Sequence, residues 1–199
     1  MPKTIEYYFF MISPFAYLGS RELERIARQH GAEIDVKPIE VKTTFAETGG
    51  VPPAKRPKPR QDYRFVELAR WSRERALPLH QQPAHFPVPD GVAAGAVLAA
   101  KQDGGDPLKL AHALLSACWS EERDISDPET VRQVATESGH DGAAILERAQ
   151  SEAMQQAFAA TTREALERGV FGSPWYIVDG EPFWGQDRLD LLERKLAAG

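Results

Sequence analysis

The first sustained apolar run, TIEYYFFMI at residues 4–12, is short and dense in β-branched and aromatic side chains, the signature of a buried strand. Ser13 and Pro14 end it. Serine is a favoured N-cap, and proline at the first helical position gives up only an N–H that has no partner there. The residues that follow, FAYLGSRELERIARQHG, set Tyr17, Leu18, Leu23, Ile26 and Ala27 on one helical face, and Gly31 stops the helix. AEIDVKPIEV then reads as a second strand. The first 41 residues are thus predicted to form a β-α-β unit with a right-handed crossover.

The pattern then changes. KTTFAETGGVPPAKRPKPRQ, residues 42–61, mixes prolines, glycines and basic side chains without periodicity, and reads as a long loop or a boundary. From Asp62 to about Gly169 nearly everything reads helical, with helices predicted over 61–77, 90–103, 106–121, 128–138, 141–149 and 150–168. SDPET at 126–130 starts one of them, GGDP at 104–107 separates two others, and LPLHQQPAHFPVPDG is a proline-rich connector. PWYIVDGEPFWG returns to strand, as two short runs joined at Asp179-Gly180, a pair suited to a type I′ hairpin. A last helix follows in QDRLDLLERKLAAG, capped by Gln186 or Asp187. The order is β-α-β, about a hundred helical residues, then β-β-α: a small α/β sheet interrupted by an all-helical insertion.

Composition narrows the function classes. With 199 residues and 42% apolar side chains the chain can bury a substantial core, and a net charge of −5 gives no reason to expect nucleic acid or an anionic membrane as partner. The one cysteine, Cys118 in LLSACWS, rules out an internal disulfide or dithiol and reads as a buried small hydrophobe. The five histidines show no ligand spacing, so no metal site is expected. No stretch has the form of a signal peptide or the length of a bilayer span, and the expected location is the cytoplasm.

Four features carry candidate chemistry. Ser13 at a strand–helix junction either only caps the helix or also donates to an anion held at the positive helix end. No base partner can be named for it, which argues against a Ser–His–Asp nucleophile. In GVFGSPWYIVDG, Pro174 is either punctuation before a strand or the proline of a cis Ser173–Pro174 bond that exposes backbone to an extended ligand. Asp187 in FWGQDRLDLLE is either a helix cap or a ligand for an ammonium group. Lys55, Arg56, Lys58 and Arg60 form either a solvated loop or a carboxylate-binding cluster. Aromatic residues (Phe15, Tyr17, Tyr63, Trp71, Phe86, Trp175 and Trp184) are spread so that some would wall an apolar substrate.

Taken together, SPFAYLG after the first strand, YRFVELARWSRERALPL, DISDPETV and GVFGSPWYIVDGEPFWGQDRLDLLE resemble the 2-hydroxychromene-2-carboxylate isomerases, relatives of the kappa-class glutathione transferases with a DsbA-like thioredoxin fold. The resemblance covers nearly the whole chain. It implies a thioredoxin-like domain made of residues 1–45 and 165–199, a helical insertion at 46–164, a homodimer, and glutathione as cofactor. Carried over by position, Ser13 faces the glutathione sulfur, Pro174 is the cis-proline, and Ser173 offers backbone bonds to the cysteinyl part. Gln186 and Asp187 hold the γ-glutamyl end, and Arg60, or else Lys58, supplies the basic group three residues before Tyr63. Phe10 stands where relatives often carry aspartate, Glu67 where aspartate is usual, and Ala16 in place of a second serine. The implied reaction is isomerisation of a small aromatic carboxylate. Glutathione conjugation to electrophiles and a non-catalytic glutathione- or peptide-binding module are the alternatives.

Overall fold

The computed structural model describes residues 2–198. Its sheet has four strands, β1 (Thr4–Phe9), β2 (Glu33–Pro38), β3 (Trp175–Val178) and β4 (Glu181–Trp184), in the spatial order β2-β1-β3-β4. β1 runs parallel to β2, from Thr4 opposite Glu33 to Phe9 opposite Pro38, and antiparallel to β3, from Ile5 opposite Val178 to Tyr8 opposite Trp175. A parallel pair needs a crossover, and helix α1 (Pro14–His30) supplies it. Placing β1 and β3 at the centre explains their apolar composition, since β3 is buried at every position and Tyr7 stacks on Phe9 and Tyr176 with ring centroids 4.4 and 5.4 Å apart. Asp179 and Gly180 both take positive φ, 52° and 79°, which is the backbone a type I′ turn needs.

Helices α3 (Lys58–Glu74), α4 (Gly91–Gln102), α5 (Pro107–Trp119), α6 (Pro128–Glu137), α7 (Gly142–Ala149) and α8 (Glu152–Glu167) come between β2 and β3 in the chain, and α9 (Leu189–Ala197) follows β4. The cap residues act as their types suggest: Asp106, Asp127, Asp141 and Ser151 each accept backbone N–H groups of the following first turn. Cys118 is buried, and burial beside Asp124 pushes its thiol up to about 12, so it packs as a hydrophobe. Among the described residues no helix is long and apolar enough to cross a membrane.

Three expectations need correction. The stretch after residue 41 is not all loop, because Val41–Thr48 forms helix α2, and a short 3-10 turn follows at Pro53–Lys55. The sequence conceals α2 because it has no apolar stripe. Tertiary bonds secure it instead: the Glu40 N–H donates to Thr162 Oγ1 at 2.9 Å, and Phe45 meets Phe10 edge-on at 5.5 Å. Second, α3 occupies Lys58–Glu74 rather than 61–77. Proline is tolerated in a first turn, so Pro59 does not delay it, while Ala76 turns left-handed at φ 50° and ends it early. Third, neither Gln186 nor Asp187 caps the last helix with its side chain. Gln186–Arg188 is a 3-10 turn ahead of α9, and both side chains are committed elsewhere.

Candidate functional site

Ser13 sits where β1 gives way to α1 and is only 6% exposed. Its Oγ accepts the Ala16 N–H at 3.2 Å, so the cap predicted from Ser-Pro is present. The hydroxyl proton has a poorer outlet: its acceptor is the Ser173 carbonyl at 3.4 Å, beyond the ordinary O–H···O range. No acidic side chain lies in the first turn of α1, so nothing there offsets the positive end of the helix dipole. The junction can therefore cap its own helix and still offer a donor to an anion.

The Ser173–Pro174 peptide is cis, and the Pro174 carbonyl is taken by the Gly185 N–H at 2.9 Å. Ser173 Oγ accepts the Phe10 N–H at 2.9 Å, which ties this loop to the end of β1. The Ser173 N–H itself finds no acceptor among the described residues. It lines the same cleft as Ser13.

Gln186 is 1% exposed and packs behind α1. Arg75 holds it through Nε to Oε1 at 3.2 Å and Nη2 to its carbonyl at 3.4 Å. Gly19 makes this approach possible, since a Cβ there would stand 2.7 Å from Gln186 Cβ. Asp187 is exposed and pairs with its neighbour Arg188 at 2.9 Å.

These residues share one cleft of about 590 Å³. Ser13, Ser173, Gln186 and Asp187 line it from the β1–α1 junction, the cis-proline loop and the 3-10 turn, and Arg60, Arg64 and Glu67 line it from α3, with Arg56 just ahead of that helix. Pro174 is buried directly behind Ser173 and does not line the cleft. Lys58 is also absent from the lining; it is exposed and paired with Asp62. Of the aromatic residues singled out in the sequence, Phe15, Trp71, Phe86 and Trp184 form cleft wall. Tyr17 is buried with its hydroxyl on the Pro78 carbonyl, Trp175 is core, and Tyr63 is 61% exposed outside the cleft. Of the three departures, Phe10 and Glu67 line the cleft, and Ala16 is buried outside its lining. Glu67 accepts the Trp71 Nε1–H at 3.2 Å and pairs with Arg70. Sequence reasoning missed Arg64, Phe45 and Phe171. Arg64 lies four residues beyond Arg60 on the same helix, a spacing that puts two side chains on one face and was available to find it.

The family model for the DSBA-like thioredoxin domain matches residues 4–197. A 2-hydroxychromene-2-carboxylate isomerase from Sphingobium xenophagum is 35% identical over 197 residues, spanning 98% of this chain and 99% of that protein. The chain belongs to the 2-hydroxychromene-2-carboxylate isomerase family. Human glutathione S-transferase kappa 1 is a more distant relative of this isomerase family member, 24% identical over 98% of the chain and 92% of the human protein. A solved 2-hydroxychromene-2-carboxylate isomerase superposes with a TM-score of 0.82 at 27% identity, covering 98% of this chain and 95% of that one. The family's architecture, a DsbA-like thioredoxin fold carrying a helical insertion, is the one described above.

Proposed function

We propose that this protein is a glutathione-dependent isomerase that interconverts a bicyclic aromatic hemiketal acid, of the 2-hydroxychromene-2-carboxylate type, and its open-chain benzylidenepyruvate. The observation that carries this reading is Ser13: a hydroxyl with a poorly satisfied proton, at a helix end free of acidic side chains, facing a loop with a spare backbone N–H. Those donors fit a peptide thiol, which this chain, with Cys118 buried, does not itself provide.

When bound, glutathione supplies a thiolate that adds reversibly to the substrate's conjugated system and leaves unchanged. Ser13 Oγ–H donates to the sulfur, and the first turn of α1 adds its dipole. One unit of thiol pKa corresponds to about 1.4 kcal/mol, and a partly buried helix end contributes up to about 2 kcal/mol, so the two together suffice for a useful thiolate population. The Ser173 N–H pairs with the peptide backbone. The Gln186 amide and Asp187 carboxylate take the γ-glutamyl carboxylate and ammonium, and Arg60 takes a terminal carboxylate. Phe10, Phe15, Trp71, Phe86 and Trp184 hold the substrate ring and keep water from it.

The kappa relative favours one second reading, transfer of glutathione to an electrophile. Both readings require glutathione to bind. At a hundredfold excess over its dissociation constant it should stabilise the fold by about 2.7 kcal/mol, read as a rise in melting temperature. No rise at millimolar glutathione overturns the proposal.

A further inference from the structure

Arg64 is a cation without a counter-ion. It is half-buried on α3, lines the cleft with Ser13, and makes no ion pair among the described residues. The acids nearest to it along the helix are already engaged, Asp62 with Lys58 and Glu67 with Arg70 and Trp71. Its guanidinium carbon lies 5.7 Å from the ring centroids of both Phe86 and Trp119 and 6.0 Å from that of Phe65. Aromatic faces attract a cation and limit its rotation, yet they satisfy none of its five N–H donors. Arg56 adds a second positive charge nearby, and among the described residues its side chain is bonded only to the Val51 carbonyl, at 2.7 Å. Burial, helped by Arg56, lowers the Arg64 pKa to about 10, which leaves it charged at neutral pH.

A partly desolvated guanidinium facing a cleft favours an anion with two acceptor oxygens, and a carboxylate matches its fork. The walls around it define what carries that carboxylate. Phe10, Phe45, Phe86 and Trp71 line the same cleft, and Phe86 stands directly against the guanidinium, so apolar ring surface is available beside the charge. We infer that Arg64 recognises the carboxylate of a planar aromatic acid and sets the cleft's preference for acids over neutral analogues. Arg60, exposed and one turn earlier, is left for the cofactor. The inference rests on the division of the cleft into glutathione and substrate halves.

The test is calorimetric titration with 2-naphthoate and 2-naphthamide, in the presence of glutathione, for wild type, Arg64→Gln and Arg64→Lys. Wild type should bind the acid at least tenfold more tightly than the amide. Arg64→Gln should lose that preference with melting temperature and glutathione affinity unchanged, and Arg64→Lys should keep part of it. A preference that survives in Arg64→Gln, or a wild type that shows none, overturns the inference. If the preference is found but glutathione does not bind, the cofactor reading fails and the role of Arg64 stands.

Discussion

Arg75 grips Gln186 from behind the cleft, with Nε on the side-chain oxygen at 3.2 Å and Nη2 on the backbone carbonyl at 3.4 Å. The same guanidinium lies 5.2 Å from the Trp71 ring centroid and 3.7 Å from a Glu22 oxygen. It therefore connects α1, α3 and the 3-10 turn, and it occupies the Gln186 side-chain oxygen, leaving the amide N–H groups as that side chain's free donors. Arg75→Ala should weaken glutathione binding about ten- to a hundredfold, the range expected for losing a hydrogen bond made by a charged group. The KM for the aromatic substrate should move less, and Arg75→Lys should recover part of the loss. A fall in melting temperature with glutathione affinity intact would mean that Arg75 only braces the fold.

Gly19 tests the same contact from the other side. A methyl group there meets Gln186 Cβ at 2.7 Å and the Tyr176 hydroxyl at 3.0 Å, and both neighbours are buried. Gly19→Ala should cost about 1–3 kcal/mol, as overpacking of a tight contact does, and should push the Gln186 turn away from Ser13. Denaturant unfolding and glutathione titration should show both losses together. Loss of neither would show that the two elements separate freely.

Ser13→Ala removes two things at once. The cap on Ala16 is worth about 1 kcal/mol and should appear as a small fall in stability. The donor to the bound sulfur disappears as well, so the thiol pKa of bound glutathione, followed by thiolate absorbance, should rise. An unchanged thiol pKa would confine Ser13 to its capping role.

Asp90, just ahead of α4, gives the fold a pH dependence of its own. It is buried, Oδ2 has no hydrogen-bond partner, and burial, with Glu40 adding to it, raises its pKa to about 7 against the opposing pull of Lys42 and its own backbone N–H. A folded-state pKa above the unfolded value favours the neutral acid, so its contribution to stability is full below about pH 4 and is lost as pH rises through about 7. Asp90→Asn stays neutral throughout. Its unfolding free energy relative to wild type should therefore climb by a few kcal/mol between about pH 4 and 8 and then level off. A gap that does not change with pH contradicts the assignment.

Much of the scaffold was legible in the sequence because local chemistry and tertiary role agree there. The Ser-Pro junction, the Asp179-Gly180 turn and the aspartate and serine caps each act within a few residues of themselves. Helix α2 was not legible, since its stability comes from Thr162 and Phe10, which are distant in the chain. Gln186 was misread as a cap for the same reason: Arg75, from another helix, holds its side chain. Arg64 was passed over in the sequence although its spacing from Arg60 was there to read; its burial against Phe86 and Trp119 appears only in the fold. Phe45 lay in a stretch that read as loop and Phe171 was passed over beside Gly172, so two of the seven aromatic residues lining the cleft appear only once the chain is folded.

The central claim is that glutathione acts here as a recycled nucleophile on an aromatic hydroxy acid. Its most direct test is to follow 2-hydroxychromene-2-carboxylate in the presence of the protein, with and without glutathione, and to count the free thiol after many turnovers. Conversion to the open-chain isomer is expected only when glutathione is present, with the whole of the thiol recovered. Conversion without glutathione, or loss of one thiol per product, would contradict it.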